Sequence, residues 1–312
     1  MPEGTVHSPH FTIHGVADGV YAAIATDAGF GLCNSAIVDL GDSAAVFDSM
    51  LTPQAGADLR RAAERLTGHR VAYLINSHYH GDHVRGNVSF PSVRIVSTRK
   101  VRELIEERAV RAIESDRAEV PAELERLRNG TWALRPRERV VFEGWFEGIL
   151  ATPRGTLVPA PDMFVDDRLV LRGPKRELEV LTFGGGHSPS DVIAYLADER
   201  IAFLGDLLSV GFHPGVGDGD AANFLEILEK VLALRPEKAL PGHGPLGGVG
   251  DIERIQRYLR ELRSLARDAR RSGVSRDEFA RTPVPPEFAT WDFSEFFGDN
   301  LRRVYDQTPA GG

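Results

Sequence analysis

Short apolar runs separated by glycine or polar turn residues dominate the first part of the chain, a pattern typical of β-strands. The runs cover residues 11–14, 20–25, 35–40 and 44–48. Gly41-Asp42 stands between the last two runs and predicts a hairpin turn. The chain is therefore predicted to enter its fold as a series of strands.

The apolar spacing then changes to the period of a helix. Residues 53–66 are predicted to form a helix, and the apolar run 71–75 is predicted to form the next strand. Farther along, Thr98 is predicted to cap a long charged helix that runs to about Glu114, and 119–129 is predicted to be helical as well. The dense Arg and Glu content of these helices is typical of a solvated face.

The pattern loosens between Val140 and Pro161, where aromatic residues are mixed with glycine and proline. This segment is predicted to be irregular. Two interpretations are open for its aromatic residues. They could overhang an active site, with Trp145 as a candidate substrate contact, or they could form a hydrophobic cluster under a long loop.

Strand-like runs return at 178–183, 192–196 and 201–204, and the last two are predicted to pair as a hairpin. Amphipathic helices are predicted over 223–234 and 251–270. The aromatic tail from Pro283 has three candidate roles, which are sealing a homodimer, closing over a pocket, or packing the core. Packing is the favoured role.

Two stretches, 11–66 and 178–234, each contain strands followed by a helix, and each brings polar residues to strand ends. This pattern predicts an α/β fold in which two mixed sheets form a sandwich flanked by helices, with a site between the sheets. The predicted organisation is a main domain at 1–250 with a helical or irregular insertion at about 97–177. A C-terminal helical extension at 251–312 is predicted to pack on it.

Composition narrows the classes of function. The 312-residue chain has a net charge of -8, which favours a small-molecule substrate over nucleic acid. The single cysteine, Cys33, excludes an intramolecular disulfide and thiolate-rich zinc sites, and it is predicted to be a small buried hydrophobe. No apolar run approaches the roughly 18 residues of a membrane helix, and no signal-like segment opens the chain, so a cytoplasmic protein is expected.

Three histidines and an aspartate occur within six residues directly after the strand at 71–75, namely His78, His80, Asp82 and His83. If the chain remains extended there, His78 and His80 point to the same side, so one metal ion could take both. Gly81 permits a sharp turn that would bring Asp82 and His83 back towards the same point. The hexapeptide therefore predicts one metal site and leaves room for a second.

Further metal-type residues follow short apolar strands and stand next to glycines, namely His187, Asp206 and His243. Asp48 also closes an apolar strand, and it could cap the helix after Pro53 or hydrogen bond to a metal-bound histidine. His213 follows Asp206 by a few residues. It could contact a substrate or donate a proton, and a position in a surface loop is the other interpretation.

Together these motifs resemble the metallo-β-lactamase superfamily. The signature His-x-His-x-Asp-His is present as His78 to His83, followed by Gly86. Later family elements are similar to Gly186-His187-Ser188-Pro189, to Asp206 at a strand end and to Gly242-His243-Gly244, and Asp48 matches an aspartate before the signature. The resemblance extends from about residue 11 to 250 and leaves out the helical tail.

The resemblance implies an αβ/βα sandwich and a dinuclear metal site. One ion would bind His78, His80 and His187, the other would bind Asp82, His83 and His243, and Asp206 would bridge them. Asp82 would also orient the bridging hydroxide as a catalytic residue. The ions would be divalent, with zinc expected first and iron or manganese as alternatives.

The implied activity is hydrolysis of a small-molecule ester, thioester, lactone or amide, because an aspartate at the Asp206 position resembles the glyoxalase II and lactonase branches. Two alternatives come from the same superfamily. The first is a mononuclear iron oxygenase of the persulfide dioxygenase type that uses His78, His80, His187 and Asp206. The second is a phosphodiesterase, against which the acidic net charge argues mildly.

Overall fold

The computed structural model describes residues 6–309, with the backbone alone at 109–112. Its first sheet has seven strands whose order in the sheet is the order in the chain. The pairs are antiparallel from the first strand to the fourth and parallel from the fourth to the seventh. The strands are β1 (Phe11–Ala17), β2 (Val20–Ala25), β3 (Ser35–Asp39), β4 (Ala44–Phe47), β5 (Val71–Ile75), β6 (Arg94–Ser97) and β7 (Met163–Phe164).

The second sheet has five strands, which are β8 (Arg168–Arg172), β9 (Glu177–Thr182), β10 (Val192–Leu196), β11 (Ile201–Ser209) and β12 (Lys238–His243). Their order across the sheet is the reverse of the chain order, β12-β11-β10-β9-β8. Only the β11–β12 pair is parallel among these described strands. Both sheets are therefore mixed.

The helices are α1 (Pro53–Thr67), α2 (Gly81–Val84), α3 (Arg99–Leu104), α4 (Val110–Arg128), α5 (Pro136–Ala151), α6 (Ala221–Ala233), α7 (Val249–Arg271), α8 (Arg276–Phe279) and α9 (Glu295–Gln307). One π-helical turn, Ile105–Ala109, joins α3 to α4, and short 3₁₀ turns lie at Arg85–Ser89 and Pro286–Phe288. Thr52 caps α1 by accepting a hydrogen bond from the Ala55 amide at 3.1 Å. Thr98 caps α3 in the same way, as predicted.

The apolar faces of the two sheets pack against each other, with Phe47 and Ile75 of the first sheet in one buried cluster with Phe203 and Leu240 of the second. Helix α1 covers the outer face of the first sheet. Helices α6, α7 and α9 cover the outer face of the second sheet. The predicted sandwich of two mixed sheets flanked by helices is therefore confirmed.

Two regions differ in detail from expectation. Residues 136–151 form α5, so the prediction of an irregular segment from Val140 is wrong for its first part. The range of about 97–177 predicted as an insertion contains α3, α4 and α5, and its last part supplies β7 and β8 to the two sheets.

The tail aromatics are mostly buried, and Trp291 and Phe297 join the cluster formed by α6, α7 and the second sheet. Packing is therefore a role of the tail, as favoured above. Within residues 6–309, no helix combines the length and the apolar character needed to cross a membrane.

Candidate metal centre

The hexapeptide 78–83 lies at the end of β5, where the first sheet meets the second. His78 lies in a bend after β5, His80 directly precedes α2 with extended backbone angles, and Asp82 and His83 lie within the single turn of α2. His187 comes from the loop after β9, while Asp206 and His243 come from β11 and β12. The candidate centre is therefore built from both sheets, and neither sheet alone contains it.

The structure brings all of the predicted ligands into two adjoining groups. One group contains His78, His80, His187 and Asp206, and the other contains Asp82, His83 and His243. Within each group the potential ligand atoms lie within 4.8 Å of one another. The grouping agrees with the ligand sets that the family resemblance implies.

The two oxygens of Asp206 face different groups. Oδ2 lies 3.4 Å from His187 Nε2, whereas Oδ1 lies 3.2 Å from His83 Nε2 and 3.4 Å from His243 Nε2. Donors bound to a tetrahedral zinc ion at about 2.0–2.1 Å would be spaced by about 3.3–3.4 Å. The Asp206 carboxylate therefore lies between the two groups, with one oxygen facing each of them.

Several buried atoms of the centre have no hydrogen-bond partner among the described residues. These atoms are His78 Nε2, His83 Nε2 and Asp206 Oδ1. Leaving a buried polar atom unpaired costs about 1–3 kcal/mol, so such atoms are rare in a folded protein without a reason. Imidazole nitrogens and a carboxylate oxygen are donors that divalent metal ions accept, so the centre fits a metal site.

In the imidazoles of His187, His243 and His78, the protein holds Nδ1, the nitrogen that faces away from the centre. Nδ1 of His187 lies 2.7 Å from the Gly215 carbonyl oxygen, and Nδ1 of His243 lies 3.2 Å from the Leu32 carbonyl oxygen. Nδ1 of His78 lies 2.9 Å from Ser77 Oγ. Because these three Nδ1 atoms are hydrogen bonded to oxygens, Nε2 is the ring nitrogen that each of the three histidines directs at the centre.

Asp48 performs the same role for His83. Its Oδ2 lies 2.8 Å from His83 Nδ1, and it also accepts a hydrogen bond from Ser77 Oγ at 2.8 Å. Its backbone has φ of 61°, in the left-handed region that few non-glycine residues adopt. Since Thr52 caps α1, the structure resolves the alternatives for Asp48 in favour of the hydrogen bond to a candidate ligand.

The electrostatics of the centre favour a cation. Burial alone would raise the pKa of the Asp206 carboxyl, but the imidazoles of His243, His83 and His187 hold it well below its usual range. Burial is likewise outweighed at His243, where the Asp206 and Asp82 carboxylates raise the pKa to about 10. The carboxylates are therefore anionic and draw positive charge into a buried site.

Asp191 shapes the loop that carries His187, although the sequence analysis gave it no role. Its Oδ2 accepts hydrogen bonds from the amides of Gly186 at 2.6 Å and His187 at 2.9 Å, and its Oδ1 accepts one from the Ser188 amide at 3.1 Å. A carboxylate three to five residues after these amides is the local signal that could have indicated this role.

Asp218 is a second residue that the sequence analysis missed. Its Oδ2 lies 3.6 Å from His80 Nε2 and accepts a hydrogen bond from the Tyr79 hydroxyl. The Tyr79 hydroxyl oxygen in turn accepts a hydrogen bond from Arg108 Nη1 at 3.0 Å. Contact with the His80 imidazole, and then with Tyr79, outweighs burial and lowers the pKa of Asp218 to about 2. An ionised carboxylate therefore holds the far side of His80, and His80 directs Nδ1 to the centre, 3.1 Å from His187 Nε2.

Replacing Asp218 by alanine is expected to weaken metal binding by about 10- to 100-fold, the usual effect of losing a residue that orients a ligand. The measurement is competition for zinc with a chelator of known affinity. Asp218→Asn is the matched variant, since its amide oxygen can occupy the same position beside His80 without the negative charge, and a smaller loss is expected. Equal affinities for all three proteins would show that Asp218 does not position His80.

His213 is buried, which corrects the interpretation of a surface loop histidine. Its Nδ1 lies 3.1 Å from the Tyr258 hydroxyl oxygen, and its ring packs edge-on against Trp291 and Phe297. Burial lowers its pKa to about 4, so the ring is neutral near pH 7. His213 and Trp145 both line a cavity next to the centre, so a substrate contact stays a prediction for each.

Comparisons with known proteins agree with the fold and the motifs. The model of the family described as "Metallo-beta-lactamase superfamily" matches residues 28–243. A curated relative, metallo-beta-lactamase type 2 of Bacteroides fragilis, is 31% identical over 109 residues. That match spans 33% of this chain and only 43% of the relative.

Solved structures show the same fold at low sequence identity. A metallo-beta-lactamase from Pontibacter korlensis is 16% identical, with a TM-score of 0.59 over 80% of this chain and 99% of that one. Another from Erythrobacter litoralis is 18% identical, with a TM-score of 0.58 over 82% and 98% of the two chains. The chain belongs to the metallo-β-lactamase superfamily and has the fold of its metal-dependent hydrolases, with a candidate metal site where its two sheets meet.

Proposed function

We propose that the protein is a hydrolase that uses two divalent metal ions to cleave an ester, thioester, lactone or amide of a small molecule. The observation that carries the proposal is the position of Asp206, whose two oxygens each face a separate group of donors. A bridged pair of ions about 3.5–4 Å apart is the arrangement used by two-metal hydrolases. Zinc is the first expectation for histidine and carboxylate donors, with iron or manganese as alternatives.

When bound, such ions supply Lewis acidity to a carbonyl group and lower the pKa of a bound water towards about 7. The side chains of the protein supply position and charge. Asp82 Oδ2 lies 3.3 Å from both His83 Nε2 and His243 Nε2, and Asp82 borders the cavity. Its carboxylate is the proposed group that orients the attacking water and accepts its proton.

The second donor group favours this function over an iron oxygenase. A mononuclear centre would need only His78, His80, His187 and Asp206, yet Asp82, His83 and His243 converge equally closely. Asp48 also fixes His83, at 2.8 Å. A centre with one ion does not need this second group of donor residues, whereas a centre with two ions does.

Metal analysis followed by a substrate panel tests the proposal. We expect about two ions per chain by plasma mass spectrometry, and hydrolysis of at least one ester, thioester, lactone or amide. The panel includes a β-lactam because the similar proteins are metallo-β-lactamases by name. Chelation should abolish turnover, and added zinc should restore it.

Three results would contradict the proposal. One iron per chain with oxygen consumption on a persulfide would indicate the oxygenase. Cleavage of bis(4-nitrophenyl) phosphate without cleavage of any carbonyl substrate would indicate a phosphodiesterase. Two tightly bound ions without turnover across the whole panel would indicate a protein that has lost catalysis.

A further inference from the structure

A cavity of about 590 Å³ lies directly beside the candidate metal centre, with Asp82, Asp206 and His243 among its lining residues. Its volume falls within the range of about 300–1,000 Å³ that is usual for small-molecule sites. Much of the remaining wall is apolar, and its large side chains include Val141, Phe142, Trp145, Phe212, Phe293 and Phe296. The cavity therefore offers an apolar surface next to the proposed reaction site.

The aromatic wall is assembled from separate parts of the chain. Phe142 and Trp145 lie on α5, Phe212 follows β11, and Phe293 lies in the tail before α9. The Phe293 ring stacks on Phe212 with centroids 5.2 Å apart, and it meets Phe142 edge to face at 5.4 Å. Such contacts each contribute about 0.5–1.5 kcal/mol beyond area burial, so the wall is a fixed surface.

The charged groups in the lining are already paired. Apart from the proposed ligands, Asp27 and Arg137 are the charged residues of the described lining. Arg137 Nε and Nη2 donate to the two oxygens of Asp27 at 2.9 and 3.0 Å, and Nη1 donates to Asp292 at 3.2 Å. Asp292 also pairs with Arg135 Nη1 at 3.3 Å, so two guanidinium groups balance two carboxylates, and no unpaired cationic side chain of the described lining is left for an anionic substrate.

Two polar side chains of the lining, those of Asn34 and Thr26, are engaged within the protein. Asn34 accepts from the Ala25 amide at 3.0 Å and donates to the carbonyl oxygens of Pro241 at 3.0 Å and Gly244 at 2.8 Å. Thr26 donates its hydroxyl to the Pro9 carbonyl oxygen at 2.6 Å. These two groups hold the wall, while His213 Nε2 has no hydrogen-bond partner among the described residues. Recognition in the cavity therefore rests mainly on apolar burial, with His213 as the polar side chain left to meet an uncharged polar group.

We propose that the cavity selects an uncharged carbonyl compound carrying a bulky apolar group, preferably aromatic, which packs against Trp145 and Phe296. The substrate class that follows is a hydrophobic ester, lactone or amide, and a carboxylate-bearing small acid is disfavoured. The inference rests on the proposed function for the reaction, but the apolar selectivity of the cavity is measurable without it.

Binding to metal-free protein tests the cavity separately from catalysis. The probes are 2-acetylnaphthalene, which is uncharged, and 2-naphthoate, which has the same ring system and a negative charge. Equilibrium dialysis is expected to show at least about tenfold tighter binding of the ketone, since the anion would lose hydration without a free cationic partner. Equal or tighter binding of 2-naphthoate would overturn the inference.

Variants locate the binding surface. Trp145→Ala is expected to weaken ketone binding by about tenfold, as loss of a large aromatic contact does. Trp132→Ala is the matched control, because Trp132 packs on the same Phe142 ring at 4.6 Å without lining the cavity. Phe296→Ala provides a second variant of the wall if Trp145→Ala is unstable. Equal binding by the control and both wall variants would place the ketone elsewhere.

Kinetics of the zinc-loaded protein link the cavity to the reaction. The ratio of kcat/KM for 4-nitrophenyl phenylacetate to that for 4-nitrophenyl acetate is expected to exceed about ten and to fall towards one in Trp145→Ala. Hydrolysis of both esters at equal kcat/KM, together with no ketone binding, would overturn the inference and leave the proposed function standing. Ketone binding without hydrolysis of any substrate would overturn the proposed function and leave the cavity assignment standing.

Discussion

Replacing Asp206 by alanine is expected to remove both metal loading and hydrolysis. The substitution takes away a side chain whose two oxygens lie close to both donor groups, at 3.4 Å from His187 Nε2 and 3.2 Å from His83 Nε2. We expect fewer than two ions per chain and a fall in kcat/KM on the order of 10³-fold or more, as when a member of a cooperating set is lost. Plasma mass spectrometry and steady-state kinetics measure the two effects.

Asp18→Ala is the control for that experiment, because its side chain is 92% exposed and pairs only with Lys175 at the surface. It should keep full metal content and turnover. Asp206→Asn retains the shape of the side chain with one anionic oxygen fewer, so it should load less metal than the parent protein. Two ions per chain with turnover within tenfold of the parent in Asp206→Ala would refute the bridging role.

Gly242→Ala is expected to inactivate the protein without altering any proposed ligand. A Cβ at this position would lie 1.9 Å from Asp206 Oδ1 and 2.9 Å from the Gly205 carbonyl carbon, so the carboxylate would have to move. A displacement of about 1 Å at a reacting centre can cost about 100-fold in rate. We expect a loss of that size in kcat/KM, accompanied by weaker metal binding.

Gly217→Ala is the matched substitution, since its Cβ would meet nothing within 4 Å. It should leave kcat/KM within about twofold of the parent, as surface substitutions usually do. Thermal unfolding of both variants shows whether each still folds. A Gly242→Ala protein with unchanged activity would mean that Asp206 does not need its present position.

The strands could be predicted because their side chains alternate or form short apolar runs, and because glycine and aspartate mark the turns between them. The spacing of the hexapeptide predicted a metal site, and the resemblance to the metallo-β-lactamase superfamily implied that His187, Asp206 and His243 complete it. Local patterns thus indicated a site between the sheets, and the resemblance supplied the ligand sets.

Helix α5 could not be predicted because its glycines serve packing. A Cβ on Gly144 would come within 3.2 Å of the backbone at Asp27 and Ala28, and one on Gly148 would come within 3.2 Å of Thr52. Glycine is a poor helix former, and in the sequence it indicates a loop. The reason for its presence is a distant segment that approaches the helix closely.

The contact of Asp218 with His80 and the burial of His213 could not be predicted either, because both depend on residues that are distant in the sequence. Asp218 lies in a stretch rich in glycine and aspartate, where nothing in the local pattern connects it with His80. His213 lies between Phe212 and Pro214 in what looks like an exposed turn, and Trp291 and Phe297 from the tail bury it. Both roles depend on segments that meet only in the folded chain.

The hydrogen bonds of Asn34 have a consequence for the energetics of the centre. Its amide side chain joins the loop after β2 to the carbonyl oxygens of Pro241 and Gly244, and its backbone amide donates to the Gly242 carbonyl oxygen at 2.7 Å. These bonds fix the spacing of the two sheets at the donor groups through protein atoms alone. The conformational entropy of aligning the donors is therefore lost during folding, and an incoming ion meets a preorganised site.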